Sequence, residues 1–239
     1  ENIGNDMKSS LLILLNKIKQ QFSEPDFMSL CKIISIYKGK GSRAELKNDR
    51  GIFILNVVRM IKDKLILNDI KEKVDRSMSP SQVGARPNKS IRNHLFVLYS
   101  ILNSVKEKEG PPIDIQIYDV KTCFDSLWLQ QCCNYLYEAG VVDDKFALIY
   151  EGNKKNNVFV QSPSGPTKNA VIEECVTQGS GLGPILCAVS VDNIGKDALE
   201  RNEHVYNYKN TVKIPPLGMI DDVAHVQECG LKSVEDNAY

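Results

Sequence analysis

The chain has 239 residues, and its 30 Lys and Arg are balanced by 30 Asp and Glu. At 42% hydrophobic and 25% charged, this is ordinary globular usage, which excludes wholesale disorder and a collagen-like chain. The longest aliphatic run, Leu11 to Leu15, falls far short of the ~20 residues of a membrane span, and the opening residues Glu1 to Asp6 lack the basic segment and cleavage site of a signal peptide. The expectation is a soluble, intracellular protein without a membrane partner, folded as one large or two small units.

Seven cysteines (31, 123, 132, 133, 175, 187 and 229) are an odd number with no C-x-x-C pair, which favours reduced, buried thiols over a disulfide framework or a zinc site. His94, His204 and His225 are far apart in sequence and lack metal-ligand spacing, so each reads as a surface or satisfied core residue. Neutral net charge hides an asymmetry: residues 32 to 64 hold nine Lys or Arg against three acids, a local excess of +6. Such a lobe either holds a polyanion or is a solvated charged surface.

Met7 to Phe22 has helical spacing, and Pro25 breaks it. Residues 30 to 55 read as a basic β-hairpin with a long tip, from Lys32–Tyr37 through Gly39-Lys40-Gly41-Ser42 to Ile52–Leu55. Val57 to Val74 and Ser90 to Lys106 are helical, joined by Ser79-Pro80-Ser81-Gln82-Val83-Gly84-Ala85-Arg86-Pro87. After the linker Gly110-Pro111-Pro112, Ile113 to Tyr118 alternates with period two, the pattern of a strand with one covered face. Leu127 to Ala139 is helical, Val158–Val160 and Val171–Ile172 are short strands, and Pro184 opens a helix running to Leu199. Val212 to Val226 reads as a hairpin with Asp221-Asp222 in its turn. The fold class is therefore α+β.

Three carboxylates stand out. Asp119 ends the alternating strand, and Asp221-Asp222 interrupts an apolar stretch from Leu217 to Val226. Embedded carboxylates cost several kcal/mol unless a cation neutralises them, and hard divalent ions are the usual partner. Plain turn chemistry would equally explain an Asp pair, and strict alternation places Asp119 on the apolar face of Ile113, Ile115 and Ile117. Gln178-Gly179-Ser180-Gly181-Leu182-Gly183-Pro184 packs three glycines into five residues, allowing close backbone approach to a ligand. Its spacing fits neither a P-loop nor a dinucleotide fingerprint.

Taken in order, these elements resemble the reverse transcriptase of non-LTR (LINE-like) retrotransposons from about residue 27 to 228. Ile36-Tyr37-Lys38-Gly39-Lys40-Gly41 with Asp49-Arg50-Gly51-Ile52 is similar to the fingers motif. Gln82 to Arg86 is similar to the Gln-x-Gly-Phe-Arg signature, and Tyr118-Asp119 through Phe124-Asp125 to the first catalytic motif. Gln178 to Pro184 is similar to the Gln-Gly-Ser-Pro-Leu-Ser-Pro loop, and Met219-Ile220-Asp221-Asp222 to the x-x-Asp-Asp hairpin. Ala85, Gly51 and Met219 depart from the family at packing or loop positions, and 17 residues follow Asp222.

The resemblance implies right-hand polymerase fingers and palm, the palm being a mixed antiparallel sheet on helices, with the thumb absent as in a fragment or truncated copy. Residues 1–26 would be an N-terminal helical segment, 27–110 the fingers-like basic lobe, and 111–239 the palm, truncated after the Asp-Asp hairpin. It implies an RNA-directed DNA polymerase that adds dNTPs to a primer 3′-OH. Asp119, Asp221 and Asp222 would be catalytic, with Asp119, Asp221 and the Val120 carbonyl holding two Mg²⁺ ions, Mn²⁺ being a substitute. Lys38 and Arg50 would clamp the triphosphate, Phe124 would exclude a 2′-OH, Gln178 and Gly179 would line the nucleotide pocket, and Arg86 would touch template phosphate unless it forms a surface salt bridge. Asp125 reads as a capping or structural acid. Partners would be RNA template, DNA primer and dNTPs, with the nucleus as the setting by analogy, or else the cytoplasm; no oligomeric state is implied. Two other readings stay open: an inactive or domesticated copy acting only as an RNA-binding module, and an unrelated two-metal nuclease or phosphotransferase.

Overall fold

In chain order, the computed structural model has α1 (Asn5–Gln21), α2 (Asp26–Ser29), β1 (Leu30–Tyr37), β2 (Asp49–Ile54), α3 (Val57–Ser77), α4 (Ile91–Lys106), β3 (Ile113–Asp119) and α5 (Cys123–Ser126). Then follow α6 (Leu129–Glu138), α7 (Asp143–Lys154), β4 (Lys155–Ser162), β5 (Gly165–Pro166), β6 (Ala170–Glu173), α8 (Gly183–Arg201), β7 (Tyr206–Tyr208), β8 (Val212–Ile214), β9 (Leu217–Met219) and β10 (Asp222–Glu228). The structure describes residues 4–107, 111–120, 123–162 and 164–229. The α+β expectation holds, and among the described residues no helix is long and apolar enough to cross a membrane. Two compact units form, Glu1–Val74 with Phe124–Leu186, and Asp75–Cys123 with Cys187–Tyr239.

The first unit is built on a sheet of order β2-β1-β4-β5, with β6 also paired to β4. The basic hairpin forms as expected, antiparallel from Lys32↔Ile54 to Tyr37↔Asp49. β1 then pairs in parallel with β4, from Leu30↔Asn157 to Ile33↔Val160. Cys31, Leu55 and Val158 are buried together, with Ile33, Phe53 and Ile172 packed against them. Charge is buried too, at a desolvation cost met only in part, because Arg59 Nε and Nη2 lie buried without a hydrogen-bond partner. Arg59 donates from Nη1 to Asn156 Oδ1 at 2.6 Å, and Lys62 pairs with Glu24 and, at 3.2 Å, with Asp63.

In the second unit β10 is the central strand of a three-stranded antiparallel sheet, β3-β10-β9, and β7 and β8 form a separate hairpin. The apolar side of α4 supplies Ile101, Val97 and Leu98, which pack with Tyr206, Val226, Ile113 and Ile115. That cover stops short of the strand end, because Ile117 is 77% exposed. Period-two alternation therefore puts Asp119 on the face of three isoleucines, yet leaves it exposed where the packing has ended.

Several expectations are corrected. The long 212–226 hairpin is instead two pieces, because β8 turns back onto β7 and only β9 and β10 flank the acidic turn. Asp222 opens β10 opposite Met219, so the turn is Ile220-Asp221 rather than Asp221-Asp222. Cys229 is exposed, while Cys31, Cys123, Cys132, Cys133 and Cys187 are buried free thiols as expected. His204 and His225, distant in sequence, stand with ring centroids 5.4 Å apart, and His225 Nε2 is buried without a hydrogen-bond partner.

Two imidazoles in this unit are held below their ordinary value. Burial lowers His94 against the opposing pull of its bond to the Ser81 carbonyl, and burial together with the His204 charge lowers His225. The folded chain thus binds fewer protons here than the unfolded chain, so this stability is present above the ordinary value of 6.5 and drains as pH falls below it. We expect the urea midpoint to drop between about pH 7.5 and about pH 5.5, with both imidazole resonances titrating below 6.5 in NMR. Midpoints that are flat or rise over that interval would contradict this.

Candidate active site

Antiparallel pairing of β3 with β10 runs from Ile113↔Glu228 to Asp119↔Asp222. Residues directly opposed across such a pair share a face with Cβ atoms about 4.5–5.5 Å apart, and like charges there are destabilising. The fold nevertheless places two aspartates opposite each other, at the exposed end of the sheet, with Asp221 one residue away in the turn. Burial, then the charges of Asp221 and Asp119, push the Asp222 carboxyl above its ordinary value. Both charges also reach Cys123, whose thiol is held low chiefly by a hydrogen bond with Cys187, while burial and the two carboxylates oppose that effect. The three acids expected from sequence are therefore brought together.

Among the described residues no Lys, Arg or His pairs with Asp119, Asp221 or Asp222, and no group of three His, Cys, Asp or Glu forms a ready-made metal cage. Mg²⁺ does not require one, since it binds through one or two carboxylates and fills its shell with water and substrate phosphate. A cluster of hard oxygen donors without a cation fits such an ion. Val120, half-buried at the end of β3, lines a cavity with Tyr118, Val223 and His225.

The turn bearing Asp221 is held from behind. Ile220 has φ of 59°, a left-handed conformation that costs a β-branched residue strain. The loop containing Gln82 lies against it: Val83 N donates to Gly218 O at 2.9 Å and Gly218 N to Ser81 O at 2.7 Å. That loop is in turn fastened by Arg86, whose side chain is only 6% exposed. Its Nε meets Asp75 Oδ1 at 2.7 Å, Nη1 donates to the carbonyls of Ser79 and Gln82 at 2.5 and 2.8 Å, and Nη2 to the Asp75 carbonyl at 2.8 Å. Of the two readings of Arg86, the salt bridge forms, with Asp75 of α3, and four of its N–H groups are committed to Asp75 and the carbonyls of Ser79 and Gln82. Sequence reading gave no role to Gln82, quoted only within its motif, or to Asp192, which accepts from Ser79 N and Oγ; an Asp inside an apolar helix was the available signal for the latter.

The remaining expected residues belong to the first unit. Lys38 follows β1 and donates from Nζ to Lys47 O at 3.0 Å, and exposed Arg50 lies on β2 opposite Ile36. Gln178 and Gly179 lie against β2: Phe53 N donates to Gln178 O at 2.9 Å, and Gly179 has φ of 133°. Ser180 Oγ donates to buried Asp63 Oδ2 at 3.0 Å, tying the loop to α3. Phe124 packs its ring toward Gly183. The side chain of Asp125 lies outside the described residues.

The architecture is that of right-hand polymerases. Solved telomerase structures superpose on this chain: that of Candida tropicalis truncated from its C-terminal domain, at TM-score 0.57 and 14% identity, covers 97% of this chain and 51% of its own. Telomerase from Candida albicans in complex with a TWJ fragment of telomeric RNA gives TM-score 0.59 and 10% identity, over 94% of this chain and 42% of its own. The chain thus spans about half the length of these neighbours. Curated proteins give no match. Residues 39–223 match the model of the reverse transcriptase (RNA-dependent DNA polymerase) family, and the chain belongs to that family.

Proposed function

We propose that this chain carries the nucleotidyl-transfer centre of an RNA-directed DNA polymerase of the non-LTR retrotransposon type. The observation that carries the reading is the Asp119↔Asp222 register, with Asp221 adjacent, in a chain of this family. Asp119 and Asp221 would hold two Mg²⁺ ions together with the Val120 carbonyl, and Mn²⁺ would substitute. Bound divalent ions supply Lewis acidity, lowering the pKa of a primer 3′-OH and offsetting charge on a leaving pyrophosphate. Asp222, opposite Asp119, adds negative charge that raises the site's demand for cations. Lys38 would serve the triphosphate as a point charge and Arg50 bidentately. Gln178 and Gly179 would line the nucleotide pocket, the missing Cβ of Gly179 letting their loop close onto the Phe53 backbone. RNA template, DNA primer and dNTPs are the partners of this reading.

The test is primer extension by the full chain on RNA and DNA templates, comparing wild type with Asp221→Asn. Extension on RNA by wild type and its loss in the variant support the proposal, whereas RNA binding without extension by either favours a binding module. Phe124, proposed to sit against the deoxyribose, gives a separate prediction. Phe124→Val should raise ribonucleotide incorporation at least about tenfold, as expected when a steric barrier of roughly 1.4 kcal/mol or more is removed. Undiminished discrimination in single-nucleotide kinetics would withdraw that role.

A further inference from the structure

We propose that Gln82 is a positioning residue that locks the Ile220-Asp221 turn and thereby aims the Asp221 carboxylate. The inference rests on the reading of Asp221 as a metal-holding residue. Gln82 is 1% exposed, and its side-chain amide is directed at the backbone of the turn. Its Oε1 accepts from Ile220 N at 3.0 Å and from Gly84 N at 2.8 Å, while Nε2 donates to Ile220 O at 3.4 Å. One side chain therefore satisfies both polar groups of the single residue held at positive φ beside the catalytic pair. Without it, two backbone groups at a half-buried position would lose their partners, and the left-handed conformation of a β-branched residue would lose its restraint.

The surroundings are shaped for this contact. A Cβ on Gly84 would collide with Ile220 N and lie 2.5 Å from Ile220 Cγ1, and one on Gly218 would lie 2.9 Å from Gln82 Nε2. Glycine at both positions lets the loop and turn backbones close onto the amide. Behind Gln82, Arg86 binds its carbonyl at 2.8 Å, and Asp192 anchors Ser79. The chain of fixation runs from Asp75 and Asp192 through the loop to Gln82 and then to the turn.

The first test uses wild type alone. In hydrogen exchange the Ile220 N–H, though in a two-residue turn, should be strongly protected; exchange at the rate of an open turn overturns the proposal. The second uses Gln82→Met, which keeps volume and removes the bonds, with Mn²⁺ binding followed by EPR and extension followed by kcat and KM. We expect Mn²⁺ affinity to fall at least about tenfold and kcat about a hundredfold, with KM for dNTP nearly unchanged, as when a reacting group is displaced by about 1 Å. Because glycine adopts positive φ without strain, Ile220→Gly added to Gln82→Met should recover part of both losses. Wild-type behaviour of Gln82→Met, or a double variant no better than Gln82→Met, overturns the role. If Asp221→Asn leaves Mn²⁺ binding intact while the Ile220 N–H is protected, the metal reading fails and the lock on the turn stands.

Discussion

Asp221→Asn should abolish RNA-templated primer extension, by about a thousandfold or more, without destabilising the fold. The loss follows from removing a charged oxygen ligand where several kcal/mol of charge stabilisation are required, and about 4 kcal/mol corresponds to that factor in rate. The preserved stability follows from the geometry of the cluster. Asp119 and Asp222 oppose each other across β3 and β10, and no described cation offsets them. Asp221 adds to the burial that already pushes the Asp222 carboxyl upward. Removing the Asp221 charge relieves part of the repulsion within this cluster, so the urea midpoint should hold or rise slightly. A variant that loses activity together with several kcal/mol of stability would mark Asp221 as a structural residue instead.

Gly179→Ala should cost about 3 kcal/mol or more. Two effects combine at this position. The φ of 133° belongs to a region that is essentially glycine's alone. A Cβ there would also stand well inside contact distance of the Phe53 carbonyl oxygen and 3.3 Å from its carbon. Backbone cannot swing aside as a flexible side chain can. Relief would require the loop to part from β2, breaking the Phe53 N to Gln178 O bond and straining the Ser180–Asp63 bond behind it. Gly181→Ala is the matched control: a Cβ there meets nothing within 4 Å, and surface substitutions of that kind shift stability by about 0.5 kcal/mol or less. Urea denaturation of the two variants should separate them clearly, and equal midpoints would refute the steric account.

Most elements bearing the candidate site were legible because their signals are local. Alternation located β3, the basic flanks and glycine-rich tip located the β1–β2 hairpin, and Pro184 marked the start of α8 within a residue. The grouping of Asp119 with Asp221 and Asp222 came from motif order rather than from any physical signal in the chain, because strand register between segments a hundred positions apart leaves no local trace. What escaped reading depended on distant partners. α7 ends in Gly152-Asn153-Lys154 and passes directly into β4, so poor helix formers hid the helix end and two asparagines disguised the strand. Asn156 is tolerated in that strand because Arg59, 97 positions earlier, donates to it. Arg86 reads from sequence as either a template contact or a surface salt bridge, and only the fold shows its guanidinium held by backbone carbonyls and Asp75. Gln82 was visible as part of a motif, but its bond to Ile220 joins residues 138 apart.

The central claim is that Asp119 and Asp221 jointly hold divalent cations, and Mn²⁺ titration followed by EPR in the presence of dNTP tests it directly. Wild type should take up Mn²⁺, and Asp119→Asn and Asp221→Asn should each weaken that uptake at least about tenfold, or roughly 1.4 kcal/mol. Titration curves for both variants that overlay the wild-type curve would contradict the account.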